Sequence, residues 1–265
     1  MKKALLPPLA ALAAGAAGFF LRRWELASAF EADTGLPIPG APASLVLFLF
    51  SLLAVLGAGL TARRLLRGRT TAPFHAAFFS GESLFITCDV IAAALLIGGG
   101  GFGVWNYVNS MEKSLFSLLL AGLLVLSGVS VGIVGRQAYR NEGDGKYNAF
   151  LLLPAFTFCL WLILSYQNRA GDPIILDYVY HILAIITTLL ALYRVAGHSF
   201  DKGQTRTTLW FSLMAVYFSC VSLADGHEPM VLCLLAFAIV YCGAHSAVLL
   251  WNLTAEKEAT PDEQE

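Results

Sequence analysis

Eight long apolar stretches run through the chain, and they restrict its fold more than any other feature. Each is close to the ~20 residues that a helix needs to cross a bilayer. Backbone N–H and C=O groups in lipid must be paired within their own segment, so the stretches are predicted to be helices. The predicted spans are residues 4–21, 44–62, 83–104, 114–135, 148–166, 174–194, 207–224 and 229–251. The sequence therefore predicts an all-α, polytopic transmembrane helix bundle of about eight spans.

Composition supports a single membrane domain. Only 13% of the residues are charged, whereas soluble domains average about 25%. We assign residues 1–253 to one transmembrane helical domain, and we expect the short acidic segment 254–265 to be a disordered tail because it lacks apolar residues that could anchor it. No soluble module is predicted, so any function is expected to be performed in the membrane or by a partner.

Basic residues are much more abundant at one end of the predicted spans than at the other. Thirteen fall on one side, namely Lys2, Lys3, Arg63, Arg64, Arg67, Arg69, Arg136, Arg140, Lys146, Arg194, Lys202, Arg206 and Lys257. Four fall on the other, namely Arg22, Arg23, Lys113 and Arg169. Cytoplasmic loops carry the excess of Lys and Arg, so this asymmetry predicts an inner-membrane protein with both termini in the cytoplasm.

The first apolar stretch has two interpretations. Two lysines followed by an apolar run are typical of a signal peptide as well as of a first span, and Ala14–Ala16 offers small residues for cleavage. Arg22 and Arg23 directly after the run favour a retained helix. We expect an uncleaved span.

Asp89 lies inside the apolar run of the third span. A charge within a span is costly, so it usually faces a bundle interior or a wet cavity, and Asp89 is the strongest indication of function in the chain. Glu82 precedes Asp89 by seven residues, on the same helical face and about 10 Å away along the axis. His245 lies at a similar depth in the last span. If the two helices touch, Asp89 and His245 could hold or relay a proton; pairing of Asp89 with an interfacial arginine is the alternative.

Four glycines, Gly98–Gly101, and a fifth at Gly103 follow Asp89 in the same span. Glycines let neighbouring helix backbones approach closely, which is their commoner use in membranes. They also weaken a helix, and transporters use discontinuous helices around a site at the bilayer midplane. Both interpretations remain open from the sequence.

A second polar group is predicted at the opposite side of the membrane. Asp177 and His181 are spaced i, i+4, which places carboxylate and imidazole on one helical face. Asp225 and His227 lie in the short connection between the last two spans on that same side. This outer polar cluster is expected to form a polar vestibule or an ordinary interfacial turn. We predict no metal site, because no recognised ligand spacing is present.

Known reaction motifs are missing from the sequence. It contains no P-loop of the form GxxxxGK[ST], no HExxH and no haem-attachment motif, which favours a protein that is not an enzyme and predicts no cofactor. The five cysteines lie in apolar runs without metal or redox spacing, as buried small side chains do.

Three functions are therefore considered. The leading hypothesis is a transporter-like protein that binds or conducts a small solute or ion through a polar cavity near Asp89. The second is a membrane anchor or sensor subunit whose basic linkers dock a soluble protein partner. The third is an intramembrane lipid-modifying enzyme that uses Asp89, His245 or the outer polar cluster as acid and base. Lipid is an expected partner in each case, and nucleic acid is not.

Overall fold

The computed structural model describes residues 2–31, 33–68, 70–110, 114–169, 171 and 174–258. Over these residues the chain forms nine α-helices and no β-strand. The helices are α1 (Lys2–Ser28), α2 (Pro42–Leu65), α3 (Phe74–Phe78), α4 (Ser83–Asn109), α5 (Leu115–Arg140), α6 (Leu152–Arg169), α7 (Ile175–Ser199), α8 (Thr205–Ser222) and α9 (Pro229–Glu258). All except α3 belong to the eight segments that are long and apolar enough to cross a membrane. The predicted all-α bundle of eight spans is confirmed.

Several helices are longer than the predicted spans. Helix α1 extends to Ser28, so the predicted end of the first span at residue 21 is wrong. The reason is that Arg22 and Glu25 are buried and paired instead of solvated. Helix α9 continues to Glu258, and residues 259–265 of the predicted tail lie outside the described residues.

The start of α1 and the end of α9 lie on the same side of the bundle, where Ala4 and Leu253 belong to one apolar cluster. We call this side the terminal face; it also carries α3 and the α5–α6 and α7–α8 connections. The opposite side is called the distal face. The α1–α2, α4–α5, α6–α7 and α8–α9 connections lie there.

Six helices form a closed ring. Each of α4, α5, α6, α7, α8 and α9 packs against the next, and α9 packs back against α4. Helices α1 and α2 lie outside the ring, where both pack against α8. As a consequence, α8 is the most buried span, whereas α2 is mostly exposed on its outer surface. Helix α1 is thus part of the packed bundle.

Glycines bring α4 and α5 into close contact. A Cβ atom on Gly100 would lie 2.7 Å from Val125 Cγ2 and 2.8 Å from the carbonyl oxygen of Ala121, and one on Gly128 would lie 2.6 Å from Ile97 Cγ1. Helix α4 is continuous from Ser83 to Asn109. The alternative of a discontinuous helix is therefore wrong: these glycines serve the close approach of two intact helices.

Two neighbouring glycines of α4 provide a matched test of this packing. Gly100→Ala should destabilise the protein by about 1–3 kcal/mol, because the added methyl meets a backbone oxygen that cannot move freely. Gly101 has no atom within 4 Å of a built Cβ, so Gly101→Ala should stabilise the helix by about 0.5–1 kcal/mol. The check is thermal unfolding in detergent; equal shifts for both variants would contradict the packing role.

Candidate functional site

Arg22 is the centre of a buried ion-pair network at the distal end of α1. The side chain is completely buried. It donates hydrogen bonds to Glu25 Oε2 and Asp225 Oδ1, both at 2.7 Å. It also donates to the carbonyl oxygens of Leu176, at 3.0 Å, and Asp177, at 2.6 Å. The network therefore joins the end of α1 to the first turn of α7 and to the turn after α8.

A large polar cavity lies at the distal end of the ring. Its volume is about 900 Å³, and it is lined by residues from α4, α5, α6, α7, α9 and the α8–α9 connection. The acidic, basic and histidine residues of the described lining are Arg169, His181, Asp225, His227 and Glu228. Asn106 and the hydroxyls of Ser117 and Ser165 add further donors and acceptors. We call this space the distal cavity.

Two histidines of the distal cavity meet at one buried hydroxyl. Ser222 Oγ is 2.9 Å from His227 Nε2 and 3.4 Å from His181 Nδ1, and the imidazole rings lie 4.5 Å apart. Burial lowers the pKa of His227, which lies in the connection between α8 and α9, to about 4. His227 is therefore neutral at pH 7, and one of its ring nitrogens can accept a hydrogen bond.

The structure brings together three of the four outer residues singled out in the sequence. His181, Asp225 and His227 line the distal cavity, whereas Asp177 forms an ion pair with Arg169 at 2.9 Å. Asp177 thus contributes through its carbonyl, which accepts from Arg22, and by positioning Arg169. Among the described residues, no group of three or more potential ligands is arranged to hold a metal ion.

Asp89 and His245 come together toward the terminal end of the ring, where α4 packs against α9. Asp89 Oδ1 is 3.8 Å from His245 Nδ1. The imidazole is held in place because Nδ1 lies 3.1 Å from the carbonyl oxygen of Tyr241, whose ring also stacks on it at 3.8 Å. Among the described residues Asp89 Oδ1 is buried and has no hydrogen-bond partner.

The space around Asp89 is small. Two cavities that it lines have volumes of about 20 Å³ and 10 Å³, so each has room for about one water molecule. The absence of a side chain at Gly135 leaves room for the Asp89 carboxylate, since a Cβ at this position would lie 2.7 Å from Asp89 Oδ2. A polar cavity was predicted near Asp89; the cavities there are small, and the large polar cavity lies at the other end of the ring.

Glu82 is not part of the Asp89 site. It is exposed at the N-cap of α4, while the residues that cover Asp89 on the terminal side come from α3, including Phe74 and Phe78. The Phe78 ring lies 5.4 Å from that of His245. Asn252 holds this cover by donating to the carbonyl oxygens of Ala77 and Phe79, at 3.1 and 2.8 Å.

An apolar layer separates the distal cavity from Asp89. On each of the four helices α4, α5, α6 and α9, completely buried residues lie between those that line the distal cavity and those that line the small cavities at Asp89. They are Leu96, Leu124, Phe158, Leu234 and Phe237. We call this layer the septum. Within the septum, Ser127 Oγ and Thr157 Oγ1 form a hydrogen bond of 2.7 Å with each other.

Sequence reasoning missed the role of Arg22, Ser222 and α3. Arg22 counted as a loop charge, although Arg22 and Glu25 are spaced i, i+3 and could have indicated a pair on one helical face. Ser222 could not be recognised as a site residue in the sequence. A serine in an apolar span is common, and the two histidines that Ser222 contacts come from different segments. Comparisons with family models, curated proteins and solved structures found no match.

Loss of Arg22 should be far more damaging than loss of its neighbour. Arg22→Leu leaves Glu25 and Asp225 buried without their cation, so we expect destabilisation by about 3–5 kcal/mol. Arg23 is exposed, and Arg23→Leu should change stability little. Thermal unfolding in detergent is the measurement. Adding Glu25→Gln and Asp225→Asn to Arg22→Leu should recover part of the loss; no recovery would contradict the charge explanation.

Proposed function

We propose that the protein binds a small polar solute in the distal cavity and moves it through the ring of six helices. The observation that carries this proposal is the order of features inside the ring: a polar cavity of about 900 Å³, the septum, then Asp89 with His245. Cavities of ~300–1,000 Å³ are typical of small-molecule sites. Polar side chains retained in a membrane bundle usually mark a solute or ion pathway.

The lining favours a neutral or singly cationic solute with several hydrogen-bonding groups. Arg22 already neutralises Asp225, and Asp177 pairs with Arg169. Glu228 accepts a hydrogen bond from Asn106 at 3.3 Å and remains exposed. A carboxylate, neutral His227 and several hydroxyls suit an amine or a polyol better than an anion.

Asp89 and His245 form the second polar site on the proposed pathway. Asp89 Oδ1 is buried without a hydrogen-bond partner among the described residues, so a proton or a small cation would satisfy it. In this conformation the septum closes the route between the distal cavity and the Asp89–His245 pair. Transport therefore requires a rearrangement of the ring, which a change in the charge of the pair could favour.

The distribution of basic residues gives the orientation of this pathway. Most basic residues lie at the terminal face, so we assign that face to the cytoplasm of the inner membrane and the distal cavity to the outside. The solute would then enter the distal cavity from outside the cell.

Binding can be tested with a panel of small amines and polyols in a thermal-shift assay on purified protein. A compound that stabilises the wild type should bind at least about tenfold more weakly to Glu228→Gln, because a charge-assisted hydrogen bond contributes ~1.5–3 kcal/mol. Glu31→Gln is the matched control: Glu31 lies in the α1–α2 connection of the same face and is not among the described cavity-lining residues. Equal loss in both variants would argue against the cavity.

Transport is checked with the compound found in that assay. Proteoliposomes that contain wild-type protein should take it up, whereas Asp89→Asn should abolish uptake and leave binding intact. Unchanged uptake by Asp89→Asn would remove Asp89 from the pathway. Binding without uptake by the wild type would instead indicate a sensor.

Orientation can be tested by labelling introduced cysteines with a membrane-impermeant maleimide. Thr34→Cys lies in the exposed α1–α2 connection of the distal face, and Glu142→Cys lies in the exposed α5–α6 connection of the terminal face. We expect labelling of Thr34→Cys in intact cells and of Glu142→Cys only after permeabilisation. The native chain is the control for its own five cysteines. The reverse pattern would place the distal cavity on the cytoplasmic side.

A further inference from the structure

A separate apolar groove lies outside the ring, between α1, α2 and α8. Its volume is about 260 Å³. The lining residues of α1 run from Pro7 to Ala14 and those of α2 from Ala54 to Thr61, which places the groove in the half of the bundle nearer the terminal face. None of its described lining residues is charged. The groove is therefore distinct from the distal cavity in both position and chemistry.

Small side chains keep the groove empty of protein atoms. Its walls include Ala10, Ala11, Ala14, Gly57 and Ala58. A Cβ on Gly57 would meet no atom within 4 Å. At the floor, Tyr217 is already satisfied, since its hydroxyl lies 2.8 Å from Ser51 Oγ. An occupant thus finds mostly apolar walls, with the hydroxyl of Thr61 as the other polar group among the described lining residues.

The surroundings of the groove are those of a lipid-facing surface. Large apolar side chains next to it are strongly exposed on α1 and α2: Leu6 69%, Leu9 57%, Leu53 67%, Leu56 55% and Leu60 54%. Outside lipid such an apolar patch would be unfavourable, so acyl chains are its natural neighbours. The groove is a depression in this surface.

A basic residue lies at the end of the groove nearer the terminal face. Gly57, Thr61 and Arg64 are spaced i, i+4, i+7 on α2, so Arg64 continues the groove-lining face of that helix. Arg64 is exposed and lies in the last turn. Its positive charge therefore occurs where a lipid headgroup would lie if an acyl chain filled the groove.

We propose that this groove binds one anionic phospholipid, with an acyl chain between α1 and α2 and its phosphate at Arg64. Charge complementarity distinguishes this occupant from a second copy of the chain, because a copy would place further basic residues of the same face against Arg64. The uncharged lining also suits a hydrocarbon chain. Each basic residue near an anionic headgroup is expected to strengthen binding by about fivefold.

Native mass spectrometry of the purified full-length protein tests the site with two defined lipids, palmitoyl-oleoyl phosphatidylglycerol and palmitoyl-oleoyl phosphatidylcholine. The wild type should retain one phosphatidylglycerol molecule at least fivefold more tightly than phosphatidylcholine. Gly57→Leu, where the added Cβ meets no atom within 4 Å, puts bulk into the groove and should abolish this adduct. Arg64→Ala should weaken phosphatidylglycerol about fivefold and leave phosphatidylcholine unchanged.

Matched controls separate the groove from general effects on the surface. Gly122→Leu adds the same bulk at an exposed glycine of α5 that also has no atom within 4 Å, and Arg140→Ala removes an exposed arginine from the same face. Both should keep the adduct. If Gly57→Leu fails to fold, Ala10→Leu fills the same groove. Equal retention of both lipids, an adduct that survives a filled groove, or a dimer that Gly57→Leu dissociates would overturn the proposal.

Discussion

The structure depends on one constraint: in an apolar medium, a charged side chain must find its partner inside the protein. Arg22 meets it with two carboxylates and two backbone carbonyls from three separate parts of the chain. These partners can be in place only if α1, α7 and the α8–α9 connection have assembled correctly. The network therefore fixes how these parts of the chain pack at the distal end of the bundle. It also fixes the position of Asp225 in the wall of the distal cavity.

The ring interior follows from where polar and apolar residues fall on its helices. Polar residues lie at the distal ends of α4, α5 and α6, apolar residues fill the middle, and Asp89 and His245 lie toward the terminal end. The glycine contacts bring α4 and α5 so close that carbonyl oxygens of each face the other helix. A rearrangement that opens the septum would accordingly move α4 and α5 as one unit against α6 and α9, because sliding between them would drive side chains into backbone.

Eight spans could be predicted from the sequence because lipid imposes a length and a composition on every helix that crosses it. The similar level of Asp89 and His245 along the helices was also accessible, since the helical rise converts residue number into distance. Its contact with His245 could be stated only as a condition, because helix order is not encoded in any single span. The same limit explains why the distal cavity was not located: its lining comes from six segments, and of that lining only His181, Asp225 and His227 stood out by residue type. Arg22 was misassigned because a charge beside an apolar run is ordinarily a loop residue.

A buried ion pair contributes little net stability compared with apolar side chains of similar volume, so stability alone does not explain why the chain carries one here. Geometry does. Arg22 holds Asp225 by one carboxylate oxygen, while the other lies 3.4 Å from Ser222 Oγ, the hydroxyl that His181 and His227 share. The orientation of α1 is thereby transmitted through a single carboxylate to both imidazoles of the distal cavity. An apolar side chain in place of Arg22 would leave Asp225 without this partner, and the hydrogen-bonding groups that face the solute would then be free to turn away.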